Sequence, residues 1–101
     1  MRKNNCGVTA ADILKTAARQ TDDIAKDFEL DSAGKMIVYR YTVKLLIDGL
    51  NHGADIENAD YMDSMGDWLD RQIELSDTAN ADNVTQACIV IHACTVFAQL
   101  K

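Results

Sequence analysis

Proline is absent from the 101 residues, and only five glycines are present. Proline removes a backbone donor and clashes with the preceding helical turn, so a chain without it meets no such interruption and is free to be mostly helical. Cysteine is scarce too. Cys6, Cys88 and Cys94 make an odd set with no repeating spacing, whereas a disulfide framework needs an even set in a secreted chain.

Long apolar runs are missing. The longest, Ala87 to Ala98, is broken by His92 and Thr95 and falls short of the roughly 20 residues a bilayer span needs. Met1-Arg2-Lys3-Asn4-Asn5 leads into mixed polar sequence rather than an apolar stretch, so no signal peptide and no membrane contact are expected. The cytoplasm is the expected location.

Catalytic motifs are also lacking. There is no glycine-rich phosphate loop, G-x-S-x-G, H-E-x-x-H, EF-hand loop or paired C-x-x-C, and only two histidines. The expectation is a protein that is not an enzyme, with no cofactor and no metal.

Positive charge is scarce in one half. Residues 1–47 carry eight bases against six acids, a net +2, while residues 48–101 carry ten acids against Arg71 and Lys101, a net −8. Phosphate recognition needs clustered Lys and Arg, so direct nucleic-acid binding by the second half is disfavoured. A basic protein partner is its natural counterpart.

What is present describes a folded chain. Apolar residues make up 48% and charged residues 26%, ordinary for a globular protein. The length suits one helical domain over 1–101, with 1–8 as a flexible N-terminal tail. Apolar spacing predicts four helices. The first covers Ala10 to Phe28, opened by Thr9 and Asp12 as a capping box. The second covers Ala33 to Asn51, capped by Asp31 or Ser32 and stopped at Gly53. Met36 to Val43 is strand-like in composition, but its pattern continues at helical spacing to Leu50. The third covers Ala59 to Leu75 with Asn58 as cap, and the fourth covers Val84 to Leu100 with Asp82 or Asn83 as cap. Short connections favour antiparallel neighbours, hence an all-α, compact up-down bundle. The fourth helix is apolar nearly all round (Ala87, Cys88, Ile89, Val90, Ile91, Ala93, Val96, Phe97, Ala98). Such a helix is either central or covered by another subunit, the second case making a homodimer.

One surface feature stands out. Asp60, Asp63, Asp67, Asp70 and Glu74 are spaced three, four, three and four residues apart, which puts all five on one helical face. Glu57 extends the line, and Arg71 is the one base in the region. Like charges at these spacings repel by roughly 0.2–0.5 kcal/mol per pair in isolated helices. A solubilising face is one explanation. A docking surface for a basic groove is the other, and a shared hard cation is a weaker third, since calcium sites usually wrap loops.

Cys88 and His92 lie four apart on one face, with Cys94 directed elsewhere. Zinc would need more ligands, and a thiolate nucleophile would need access, so both read as core residues. Tyr39 and Tyr41 cannot both face the core of one helix, so one is expected to be exposed. Tyr61 adjoins the acidic stripe, and tyrosines are common at binding hot spots. The expected partner-binding set is therefore Glu57, Asp60, Tyr61, Asp63, Asp67, Asp70 and Glu74. The expected function is a small acidic inhibitor of a basic partner, such as one that handles nucleic acid. By analogy of charge and size it would resemble an immunity, anti-activator or phage anti-defence protein. The alternative is a structural or chaperone-like helical module acting through apolar surface.

Overall fold

The computed structural model describes residues 9–52, 56–76, 78 and 80–99. Four helices account for nearly all of them, α1 (Ala10–Phe28), α2 (Ser32–His52), α3 (Ala59–Leu75) and α4 (Ala81–Gln99), and no strand occurs among the described residues. The fold is all-α. The expected N-terminal tail, Cys6, the Gly53 stop and the side chains of Val96, Phe97 and Ala98 lie outside what is described.

Local chemistry sets the helix ends. Thr9 accepts from the Asp12 backbone N–H while the Asp12 carboxylate accepts from that of Thr9, a reciprocal capping box. α1 closes at Glu29, whose φ of 52° is left-handed. Asp31 caps α2 by accepting from the Gly34 N–H at 2.7 Å, so the helix starts at Ser32, one residue before Ala33. Asn58 caps α3 through the Asp60 N–H.

The start of α4 departs from expectation. It begins at Ala81, three residues before Val84, with the Val84 N–H bonded to the Asn80 carbonyl. Asp82 therefore lies inside the first turn, where its charge suits the helix dipole. Asn83 does not cap α4. Its Nδ2 instead donates to the Phe28 carbonyl, at the C-terminal end of α1.

Pairings between helices give the topology. Lys35 meets Asp22, Tyr61 meets Asp48, and the His92 ring meets the Ile56 carbonyl just ahead of α3. Each pair joins late residues of one helix to early residues of the next or reverses order, so sequence neighbours run antiparallel. The four helices are not equally packed, however. α1, α2 and α4 pack closely on one another, while α3 packs on α2 and scarcely meets α4. Leu45, Ile56, Met65, Val38 and Val84 are the largest fully buried apolar residues, and Leu69, Ile37 and Ile91 are among those that cluster around them.

A hydrogen-bonded knot closes one end. Asp31 Oδ1 accepts from the Thr78 hydroxyl as well as from Gly34, and Asn80 Nδ2 donates to the Glu29 carbonyl. The turn between α1 and α2 is thus tied to the segment that starts α4. α4 itself is not central. Its buried side holds Val84, Ala87, Cys88, Ile91, His92 and Thr95, but Ile89 is 55% and Val90 41% exposed. Of the two explanations for its all-round apolar sequence, the first is removed: α2, packed against all three other helices, is the central one.

Candidate functional site

Because α3 leans on α2 and away from α4, a trough of about 490 Å³ opens between α3 and α4. Tyr41 of α2, Leu69 of α3, and Cys88 and His92 of α4 form its floor. Met62, Gly66 and Asp70 make the α3 wall; Thr85, Ile89 and Ala93 make the α4 wall, and Glu57 stands at one end. The wall residues follow helical spacing: 62, 66 and 70 on α3 face 85, 89 and 93 on α4, each separated by four.

The floor is largely apolar surface, and its few polar groups leave little to offer a ligand. Tyr41 Oη lies 2.8 Å from His92 Nδ1, and His92 Nε2 lies 2.8 Å from the Ile56 carbonyl. A carbonyl can only accept, so Nε2 carries the ring hydrogen and Nδ1 accepts from the Tyr41 hydroxyl. Burial pushes the Tyr41 phenol up, with Cys88 adding to the effect, so the hydroxyl keeps its proton. The Thr85 hydroxyl donates to the Ala81 carbonyl at 3.1 Å. The rings of Trp68 and His92 flank Tyr41, each centroid 6.1 Å away.

Cys88 and His92 share this floor, as their spacing implied, but they are not an activated pair. Cys88 is fully buried, which pushes its thiol up to about 12, the opposite of what a nucleophilic thiolate needs. Both nitrogens of His92 bond elsewhere. Cys94 is exposed and directed away from them. No group of three or more potential metal ligands occurs among the described residues.

The acidic residues fall where the spacing placed them. Glu57, Asp60, Asp63, Asp67, Asp70 and Glu74 are all exposed, and among the described residues none of them forms an ion pair. The stripe runs along the outer side of α3 opposite buried Met65 and Leu69, and its edge residue Asp70 is also part of the trough wall. Acidic face and apolar trough are therefore one continuous surface.

Tyr61 is placed differently from an exposed anchor. It is half-buried, its hydroxyl donates to Asp48 at 2.7 Å, and its ring meets that of His92 edge-on at 5.9 Å. Burial, the Asp48 hydrogen bond and the Asp48 charge push its phenol up. Lys44 reaches the same carboxylate at 3.6 Å. Tyr61 thus ties α3 to the end of α2. The exposed apolar residues beside the stripe are instead Met62 on α3 and Ile89 across the trough. Of the α2 tyrosines, Tyr41 is buried and Tyr39 half-buried. Spacing alone had no means of finding the trough, since it depends on how far apart two helices stand.

No family model matches the chain, and neither a curated protein nor a solved structure does. No helix among the described residues is long and apolar enough to cross a membrane.

Proposed function

We propose that the chain is a non-enzymatic protein-binding protein that docks on a basic partner through α3 and inhibits it. One observation carries this: a row of exposed carboxylates, without ion pairs among the described residues, borders an apolar trough, with Asp70 belonging to both. Charge of one sign on an accessible face steers an oppositely charged partner and raises the encounter rate. Burial of apolar surface beside it then slows dissociation. Carboxylates about 5–6 Å apart along a helix present charge to Lys and Arg that would otherwise bind phosphates, so a partner that handles nucleic acid would be blocked at its own groove. An inhibitor, immunity or anti-defence role in the cytoplasm follows from such blocking.

The test is capture of partners on the immobilised chain, elution by a salt gradient, and repetition with Asp63, Asp67 and Asp70 all changed to Lys. A basic protein released at moderate salt and lost with the triple variant is the expected result. Equal retention by the triple variant would sink the reading.

A second reading has its own observation. Exposed Ile89 and Val90 on α4 favour a helical module that covers this ridge with a second copy of the chain. Its mark is a salt-insensitive rise in mass with concentration in sedimentation, removed by Val90→Asp. A monomer at all concentrations excludes it.

A further inference from the structure

We infer that the trough between α3 and α4 receives a basic amphipathic α-helix of the partner, about two to three turns long, with its apolar face down and its cationic side toward α3. This rests on the docking reading above and specifies the chemistry and secondary structure of what docks.

Length comes first. The lining runs from Met62 to Asp70 on α3 and from Thr85 to Ala93 on α4, about 12 Å on each wall at the rise of an α-helix. That accommodates roughly two turns in contact, enough for apolar anchors at i, i+3 or i+4, and i+7.

Backbone chemistry then decides between a helix and an extended segment. An extended peptide brings unpaired N–H and C=O groups that need partners. The floor and walls have few to give: Tyr41 and His92 bond each other, His92 bonds the Ile56 carbonyl, and Thr85 bonds Ala81. Cys88 offers only a weak thiol donor. A helix satisfies its own backbone and asks the trough only for apolar contact.

Close approach is provided for. Gly66 and Ala93 occupy the walls where larger side chains would fill the space, and a Cβ at Gly66 would have nothing within 4 Å. Met62 and Ile89, 49% and 55% exposed, supply flexible apolar edges. Charge fixes the partner's sign and orientation. Glu57 and Asp70 stand on the rim, Asp63 and Asp67 lie above it on α3, and the α4 wall carries no charge. A cationic flank is therefore drawn to the α3 side. A second copy of this chain would instead bring net −6 to an acidic rim, so the occupant is a basic partner segment.

The probe is a synthetic helical peptide of about fourteen residues, four turns, with Leu at i, i+3, i+4 and i+7 repeats and Lys elsewhere, titrated into the full chain by fluorescence anisotropy. A scrambled peptide of the same composition has the same charge but no apolar face. Tighter binding of the amphipathic peptide, weakened about tenfold or more by Gly66→Leu, is the expected result. Gly66→Leu also replaces glycine by a strong helix former at an exposed position, so thermal stability is retained. Ile89→Ala, on the opposite wall, is expected to weaken the same peptide.

Equal binding of the two peptides, or affinity indifferent to both Gly66→Leu and Ile89→Ala, overturns the inference. The two proposals fail separately. If the Asp63/Asp67/Asp70 reversal abolishes partner capture while Gly66→Leu leaves peptide binding untouched, the helix-in-trough inference falls and the acidic docking face stands. If Gly66→Leu blocks the peptide but the reversal leaves partner capture intact, the acidic docking face falls.

Discussion

Two glycines mark two different seams in this bundle. At Gly34 of α2 an added Cβ would lie 2.8 Å from Val84 Cγ2 of α4 and 3.0 Å from Asp31 Oδ1. At Gly66 of α3 the same atom would meet nothing within 4 Å. The first seam is closed down to backbone contact and is tied at its end by Asp31, Thr78, Asn80 and Asn83. The second is open, and α3 holds its place through α2 instead: Trp68 against Tyr41, Tyr61 on Asp48, and Met65 and Leu69 in the core. The difference shows that fold and surface are divided between the seams. α1, α2 and α4 pack closely, while α3 gives Met65 and Leu69 to the core but is propped on α2, so that a recess remains beside α4.

The strongest way to break this division is at the one residue that serves both sides. His92 bonds Tyr41 and the Ile56 carbonyl beneath the trough. His92→Leu keeps the bulk but strands both buried partners, each at roughly 1–3 kcal/mol, so a loss of about 3 kcal/mol is expected in urea unfolding. In that background Tyr41→Phe removes one stranded group and restores part of the stability, giving a positive coupling in the double-mutant cycle. A loss below about 1 kcal/mol would mean that water reaches Tyr41 from the trough and takes the place of the imidazole.

The glycines themselves make the sharper pair. Gly34→Ala forces Val84, which is fully buried, or the bound Asp31 carboxylate to move, and overpacking of this kind costs about 1–3 kcal/mol. Val84→Ala should reduce that cost when combined with it, so the two changes should fall short of additivity. Gly66→Ala has the opposite sign, because an exposed helical glycine with open space gains about 0.5–1 kcal/mol on acquiring a methyl group. Thermal melts of the two variants side by side decide the matter. Destabilisation by both would show that the α3–α4 seam closes in solution.

Much of the fold was legible in the sequence. Thr9 with Asp12 marks the start of α1 and Asn58 the start of α3, because capping is local chemistry within four residues. The carboxylate stripe was equally legible, since spacing of three and four decides which helix face a residue takes. The start of α4 was missed because a good local cap is engaged elsewhere in the fold. Asp82 and Asn83 are both good caps, yet Asn80 holds that place and Asn83 bonds Phe28, 55 positions away in sequence. The tie between Tyr61 and α2 was not legible: its partner Asp48 sits at the far end of α2, and nothing beside Tyr61 in the chain announces it. The trough was illegible altogether. An apolar α4 and a glycine at 66 are both in the sequence, but only the distance between α3 and α4 turns them into a recess.

A pH series tests whether the trough floor is dry. The Cys88 thiol, ordinarily near 9.0, is pushed up to about 12 by burial, and Tyr41 and Tyr61 move in the same direction from 10.0. Each group stays protonated in the folded chain at pH values where the unfolded chain has already released its proton. Folding stability is therefore full below about pH 9 and declines as pH rises toward 12, because the unfolded state binds fewer protons in that window. Urea midpoints measured from about pH 8 to about pH 11 should fall, and Cys88→Ala should start lower but fall less steeply. All three groups lie at or beside the open seam, and Cys88→Ala isolates the share that comes from the trough floor. A midpoint that stays level would mean that solvent already reaches the thiol and both phenols, so that the open seam extends down to α2 and the apolar floor expected to receive a partner helix is wet.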